Sequence, residues 1–148
     1  MPPRKKRISV VFDTNVIVSY YLLGHVGSVN THLFRLWRNR RELQLITSIE
    51  IVREYFDVLD RLGIDERRIA RFHTRLNSRD TVTLVSPGSQ PTESSDPDDN
   101  IFLAAAIAGK ARFLITNDRH LLDIPAQEQR KFRFQILTPK MFLDQTGL

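Results

Sequence analysis

Two short apolar runs, each delivering an aspartate, constrain this chain more than any other feature. ISVVF (Ile8 to Phe12) leads straight into Asp13, and FLITN ends one residue before Asp118. A short run that is apolar at consecutive positions and rich in β-branched residues reads as a strand covered on both faces, the kind found in parallel sheets. Each aspartate then sits just past the C-terminal end of a buried strand. In open α/β sheets that edge is where ligands bind.

The rest of the chain alternates in the same way. A helix is expected from about Ser28 to Arg41, with Val29, Leu33, Leu36 and Trp37 on one face, followed by a strand from Leu43 (LQLIT). Thr47 and Glu50 have capping-box spacing, so a helix is expected to open at Thr47, run through IVREYFDVLDRL and stop at Gly63. An arginine-rich helix over about Asp65 to Asn77 and a strand TVTLV (Thr81 to Val85) come next. SPGSQPTESSDPDD is polar, holds three prolines and reads as a loop or flap. NIFLAAAIAG is apolar all round and so should be a buried helix ending at Gly109. RFLIT (Arg112 to Thr116) and Phe134 to Thr138 read as strands, the latter before a short terminal helix. Strand and helix alternation of this kind gives an α/β class with a mostly parallel sheet and helices on both faces. Residues 8–148 are expected to form one domain, and the basic start MPPRKKR an arm that either binds RNA or is simply disordered.

Composition excludes several chemistries. With no cysteine among 148 residues there are no disulfides, no Cys-based zinc site and no Cys nucleophile. No apolar run reaches the roughly 18–20 residues of a membrane helix, and MPPRKKR followed by ISVVFD is a poor signal peptide; the expectation is a cytoplasmic protein without a membrane partner. Lys and Arg number 22 against 17 Asp and Glu, giving +5. A basic surface either aids solubility or favours polyanions. Arginines cluster at Arg35, Arg38, Arg40 and Arg41, a stretch that also holds Trp37, and at Arg67, Arg68, Arg71, Arg75 and Arg79, which suits nucleic acid.

Asp13 and Asp118 at one sheet edge repel each other unless a cation lies between them. A hard divalent ion held by oxygens resolves this. Asp99 ends the acidic run Asp96, Asp98 and Asp99 at the start of the apolar helix. There Asp96 also reads as an N-cap with Pro97 at the first helical position, the others serving the helix dipole. A helix apolar on every side nevertheless aims its first turn into the protein body. Glu54 lies at the border of the apolar face formed by Ile51, Tyr55, Val58, Leu59 and Leu62, while Asp57 and Asp60 point to solvent. The histidines His25, His32, His73 and His120 are each isolated and read as surface or packing residues; His120 is set apart only by its place two residues past Asp118.

VVFDTNV, TSIEIVREYFDVL and DPDDNIFLAAAIAGKARFLITNDRHLL together resemble the PIN domain, most closely its bacterial VapC-like branch, described as toxin components of toxin–antitoxin pairs. The resemblance covers about residues 8–143. It implies a three-layer α/β/α sandwich with a mostly parallel central sheet of four to five strands. It implies metal-coordinating acids at Asp13, Glu54, Asp99 and Asp118, with Asp96 a nearby acid, and polar support from Asn15, Ser48, Thr116 and Asn117 that steadies the ligands or contacts phosphate. Some members of the branch carry Gly at the position of Asn117. The implied activity is Mg²⁺- or Mn²⁺-dependent endoribonuclease cleavage of RNA leaving 5′-phosphate and 3′-hydroxyl ends, with an antitoxin protein and a second copy as partners. A non-catalytic RNA-binding or scaffold PIN domain is the alternative. A haloacid-dehalogenase phosphatase also places an Asp after its first strand, but it needs a second aspartate two residues on, where this chain has Asn15.

Overall fold

The computed structural model describes residues 6–24, 28–88 and 100–148. β1 (Ile8–Phe12) occupies the centre of a five-stranded sheet because its residues are apolar on both faces; Val10, Val11 and Phe12 are fully buried. β2 (Leu43–Thr47) and β4 (Phe113–Ile115) pair with it on either side, and β3 (Val82–Leu84) and β5 (Gln135–Leu137) form the edges, giving the order β3-β2-β1-β4-β5. Every pairing is parallel. The expected three-layer arrangement is present. Helix α5 (Asn100–Ala108) packs across β1, β2 and β4, while α2 (Val29–Arg38) and α8 (Pro139–Thr146) pack on β2, β5 and each other on the opposite face.

The structure adds helices that the sequence pattern does not show. Residues Thr14–Leu23 form α1, although TNVIVSYYLL is rich in β-branched and aromatic residues with no amphipathic stripe. It is helical because Asp13 caps it, accepting from the Thr14 amide at 2.6 Å, and because α2 and α3 (Ile49–Arg61) cover it. The expected arginine-rich helix is α4 (Glu66–Leu76), and short helices α6 (Arg119–Leu122) and α7 (Ala126–Gln129) fill the path from β4 to β5. α3 starts one residue later than expected: Thr47 ends β2, and Ser48 is the N-cap, its hydroxyl accepting from the Ile51 amide at 3.3 Å. Gly63 does close that helix, at φ +71°, the left-handed conformation that glycine adopts without strain.

The core also settles the role of Trp37. It is 1% exposed, packs against Phe12, Phe34 and Phe72, and donates its indole N–H to the Thr81 carbonyl at 3.0 Å. The arginine stretch around it therefore does not carry an aromatic platform for a base. Leu62, expected on the apolar face of α3, is 45% exposed, because the chain has already left the helix at Arg61.

Candidate functional site

Two similar local designs meet at the C-terminal edge of the sheet. At each, a buried strand ends, an Asp leaves the strand in extended conformation, and its carboxylate caps the helix that follows. Asp13 caps α1, and Asp118 caps α6 by accepting from the His120 amide at 2.9 Å. The parallel register pairs Phe12 with Ile115 and so sets both exits side by side. The Asp13 amide continues the ladder, donating to the Ile115 carbonyl at 3.0 Å.

A polar chain ties the two strand ends together. The Thr116 hydroxyl donates to Asp13 Oδ2 at 2.5 Å and accepts the Asp118 amide at 2.8 Å. Asn15 donates through Nδ2 to Asp13 Oδ2 at 3.0 Å and accepts the Asn117 amide on Oδ1 at 3.1 Å. Asp13 thus accepts from three donors, yet it is only 4% exposed. Burial dominates: its pKa rises from 3.8 to about 6, the bonds from Thr116 and Thr14 pull it down, and the charges of Asp118 and Glu54 push it further up.

Glu54 reaches this edge from α3, half-buried, and the Thr14 hydroxyl donates to its Oε2. The neighbouring Tyr55 is fully buried and donates its phenol to the Phe12 carbonyl, pinning α3 to the end of β1. Its pKa is held well above 10, by burial first and then by the nearby charges of Asp13 and Glu54. Ser48 is buried at the end of β2, where it serves the α3 cap. Asp96 and Asp99 lie outside the described residues.

Asp118 and Glu54 therefore lie at the same edge as Asp13, near enough for their charges to act on it. Among the described residues no three His, Cys, Asp or Glu side chains are gathered closely enough to hold an ion unaided. The donor set still fits a hard divalent ion. It consists of oxygens alone, its central carboxylate is buried at a cost that a cation would offset, and the other acids raise that cost. Thr14 and Tyr55 are the two residues that sequence reasoning missed. The DTN triplet and the Glu54–Tyr55 pair were visible, but nothing in the spacing says which hydroxyl meets which oxygen. His120 is exposed, His32 binds the Leu148 carbonyl at 2.9 Å, His73 packs on Phe56, and His25 lies outside the described residues.

The PIN domain family model matches residues 9–120, the span that carries Asp13, Glu54 and Asp118. The chain belongs to the PIN domain family. This PIN domain also shares its fold with a chain in the crystal structure of VapBC2 from Rickettsia felis bound to a DNA fragment from their promoter. The two superpose with a TM-score of 0.56 at 13% identity, covering 87% of this chain and 97% of that one. No curated protein matches the sequence. No helix among the described residues is long and apolar enough to cross a membrane.

Proposed function

We propose that this PIN domain is a metal-dependent endoribonuclease that hydrolyses RNA phosphodiester bonds, with Asp13, Glu54, Asp99 and Asp118 holding Mg²⁺ or Mn²⁺ and Asp96 close by. The observation that carries the reading is the buried Asp13 carboxylate set against Asp118 and Glu54. An anion raised to about 6 by burial and like charge, and still supplied with three donors, is built to face a cation. When bound, a divalent ion supplies positive charge against the phosphodiester and lowers the pKa of water.

The protein's own groups divide the remaining work. Thr116 and Asn15 orient the Asp13 carboxylate, and the same threonine holds the Asp118 backbone amide, so one hydroxyl links the two strand ends. Thr14 orients Glu54 from the first turn of α1. Asn117, exposed one residue before Asp118, is assigned the contact to a substrate phosphate. Asn15 has both amide ends engaged within the protein and acts as a support for Asp13.

The VapC-like resemblance and the shared fold with a chain of the VapBC2 structure support a toxin role with an antitoxin partner, as a narrower form of the same reading. A homodimer and a cytoplasmic location belong to that narrower form too. The test is cleavage of single-stranded RNA by the purified protein in Mg²⁺, Mn²⁺ and EDTA. Cleavage that needs the ion supports the nuclease. RNA binding equal in EDTA and metal, with no turnover in either, assigns the chain to the non-catalytic alternative.

A further inference from the structure

The opposite pole of the sheet has the opposite charge. The loops that enter β1, β2 and β4 bring Lys6, Arg7, Arg41, Lys110 and Arg112 to one open groove of about 1050 Å³. Ser9 and Gln44 complete its lining, so among the described residues no acid and no apolar side chain lines it. The five cations come from segments far apart in sequence and meet only because the three central strands start side by side. The groove lies about 16 Å from Asp13, the length of a five-residue strand.

Two features show that this pole is organised. Arg7 is fixed across the groove floor, donating through Nε to the Arg41 carbonyl at 3.2 Å and through Nη1 to Gln44 Oε1 at 3.0 Å. Arg41 and Lys110, at φ 54° and 53°, are also the only non-glycine residues with positive φ among the described residues. That backbone favours glycine or asparagine. At the end of α5 the glycine sits one position early, at Gly109, where an added Cβ would lie 2.4 Å from Ile46 Cγ2. The left-handed turn falls on Lys110 instead. Both unfavourable positions carry a cation into the groove. Arg41 also meets Asp80, at 3.9 Å on an exposed surface, a contact too weak to neutralise it.

We propose that this groove binds the phosphate backbone of a single-stranded polynucleotide, as an anchoring surface for RNA remote from the acidic edge. A groove with only cationic and polar side chains lacks the apolar anchors of a protein interface, and three of its cations are guanidiniums suited to phosphate oxygens. Its floor, three strands at roughly 4.8 Å spacing, is about 10 Å across, wide enough for one extended strand. No aromatic ring is among the described residues that line the groove, and contacts to phosphate carry no base information, so recognition through the backbone is independent of sequence. The choice of RNA rests on the nuclease reading; the binding does not, and it is measured without turnover.

The experiment is fluorescence anisotropy with labelled oligouridylate in EDTA, over a salt series, on wild type, Arg41→Gly/Lys110→Gly and Lys6→Glu. Glycine at the two left-handed positions removes charge and relieves the backbone, so the double variant should keep the wild-type melting temperature or exceed it. Its log K against log salt should be shallower by about 1.4, roughly 0.7 per lost phosphate contact. Lys6→Glu, at an exposed residue, should weaken binding as well. Wild-type affinity and slope in the double variant would overturn the proposal. A parallel titration with labelled polyglutamate separates the occupants: polyglutamate binding lost in the double variant with oligouridylate binding intact would also overturn the proposal and mark an acidic protein segment as the occupant.

Discussion

The Thr116 hydroxyl donates to Asp13 Oδ2 at 2.5 Å while it accepts the Asp118 amide, so one buried side chain positions both strand-end acids. Thr116→Val keeps the shape and β-branching but removes the donor and the acceptor together. A hydrogen bond to a charged group contributes about 1.5–3 kcal/mol, so the variant should lose about 2 kcal/mol in urea unfolding at pH 7.5. The loss should shrink at pH 4.5, where Asp13 is largely protonated. RNA cleavage should fall with it, because Asp13 then keeps only its Thr14 and Asn15 donors and the link from Asp13 to the Asp118 amide is gone.

The raised pKa of Asp13 makes the metal-free protein sensitive to pH. Between 3.8 and about 6 the folded state holds a proton that the unfolded state has released. Stability therefore falls as pH rises through that window and levels off above it. At 1.36 kcal/mol per unit, the full contribution is roughly 3 kcal/mol. The stability difference between wild type and Asp13→Asn, measured by urea unfolding in EDTA from pH 3.5 to 7.5, should shift against wild type by about that amount. A difference flat across the window would contradict the burial argument.

Glu54 is oriented by Thr14 and lies at the edge without forming its floor. Glu54→Gln keeps an acceptor for the Thr14 hydroxyl and the half-buried shape. It should fold with a melting temperature within a few degrees of wild type and lose at least about a hundredfold in cleavage rate, the scale of losing a positioned charged group. Circular dichroism and a single-turnover assay report the two effects separately.

Trp37 gives a contrast. Its ring is in the core, so Trp37→Phe should cost about 1–2 kcal/mol through the lost bond to Thr81 and the smaller ring. Its affinity for RNA, measured below its unfolding midpoint, should match wild type.

The sheet was legible because its strands are short, apolar and spaced by helical pattern, and this alone placed Asp13 and Asp118 at one edge. α1 was not legible. Val16, Ile17 and the tyrosines have the composition of a strand, and the helix depends on a cap and on tertiary cover that no local pattern displays. The start of α3 slipped by one residue because Thr47 and Ser48 are both capping residues, and only the β2–β3 pairing decides between them. The Thr14–Glu54 contact joins residues 40 apart in sequence, and the basic pole joins Lys6, Arg41 and Lys110. Clusters of arginine in sequence did not foretell that groove, because it is assembled across three strands and not along one helix.

The most direct measurement is metal-dependent cleavage of single-stranded RNA by the Asp13→Asn/Asp118→Asn double variant beside wild type, with folding verified by circular dichroism. The expected result is a folded variant with no cleavage in Mg²⁺ or Mn²⁺, while wild type cleaves in either ion and stops in EDTA. Metal-dependent cleavage that survives in the double variant would contradict the assignment of the active centre to the paired strand ends.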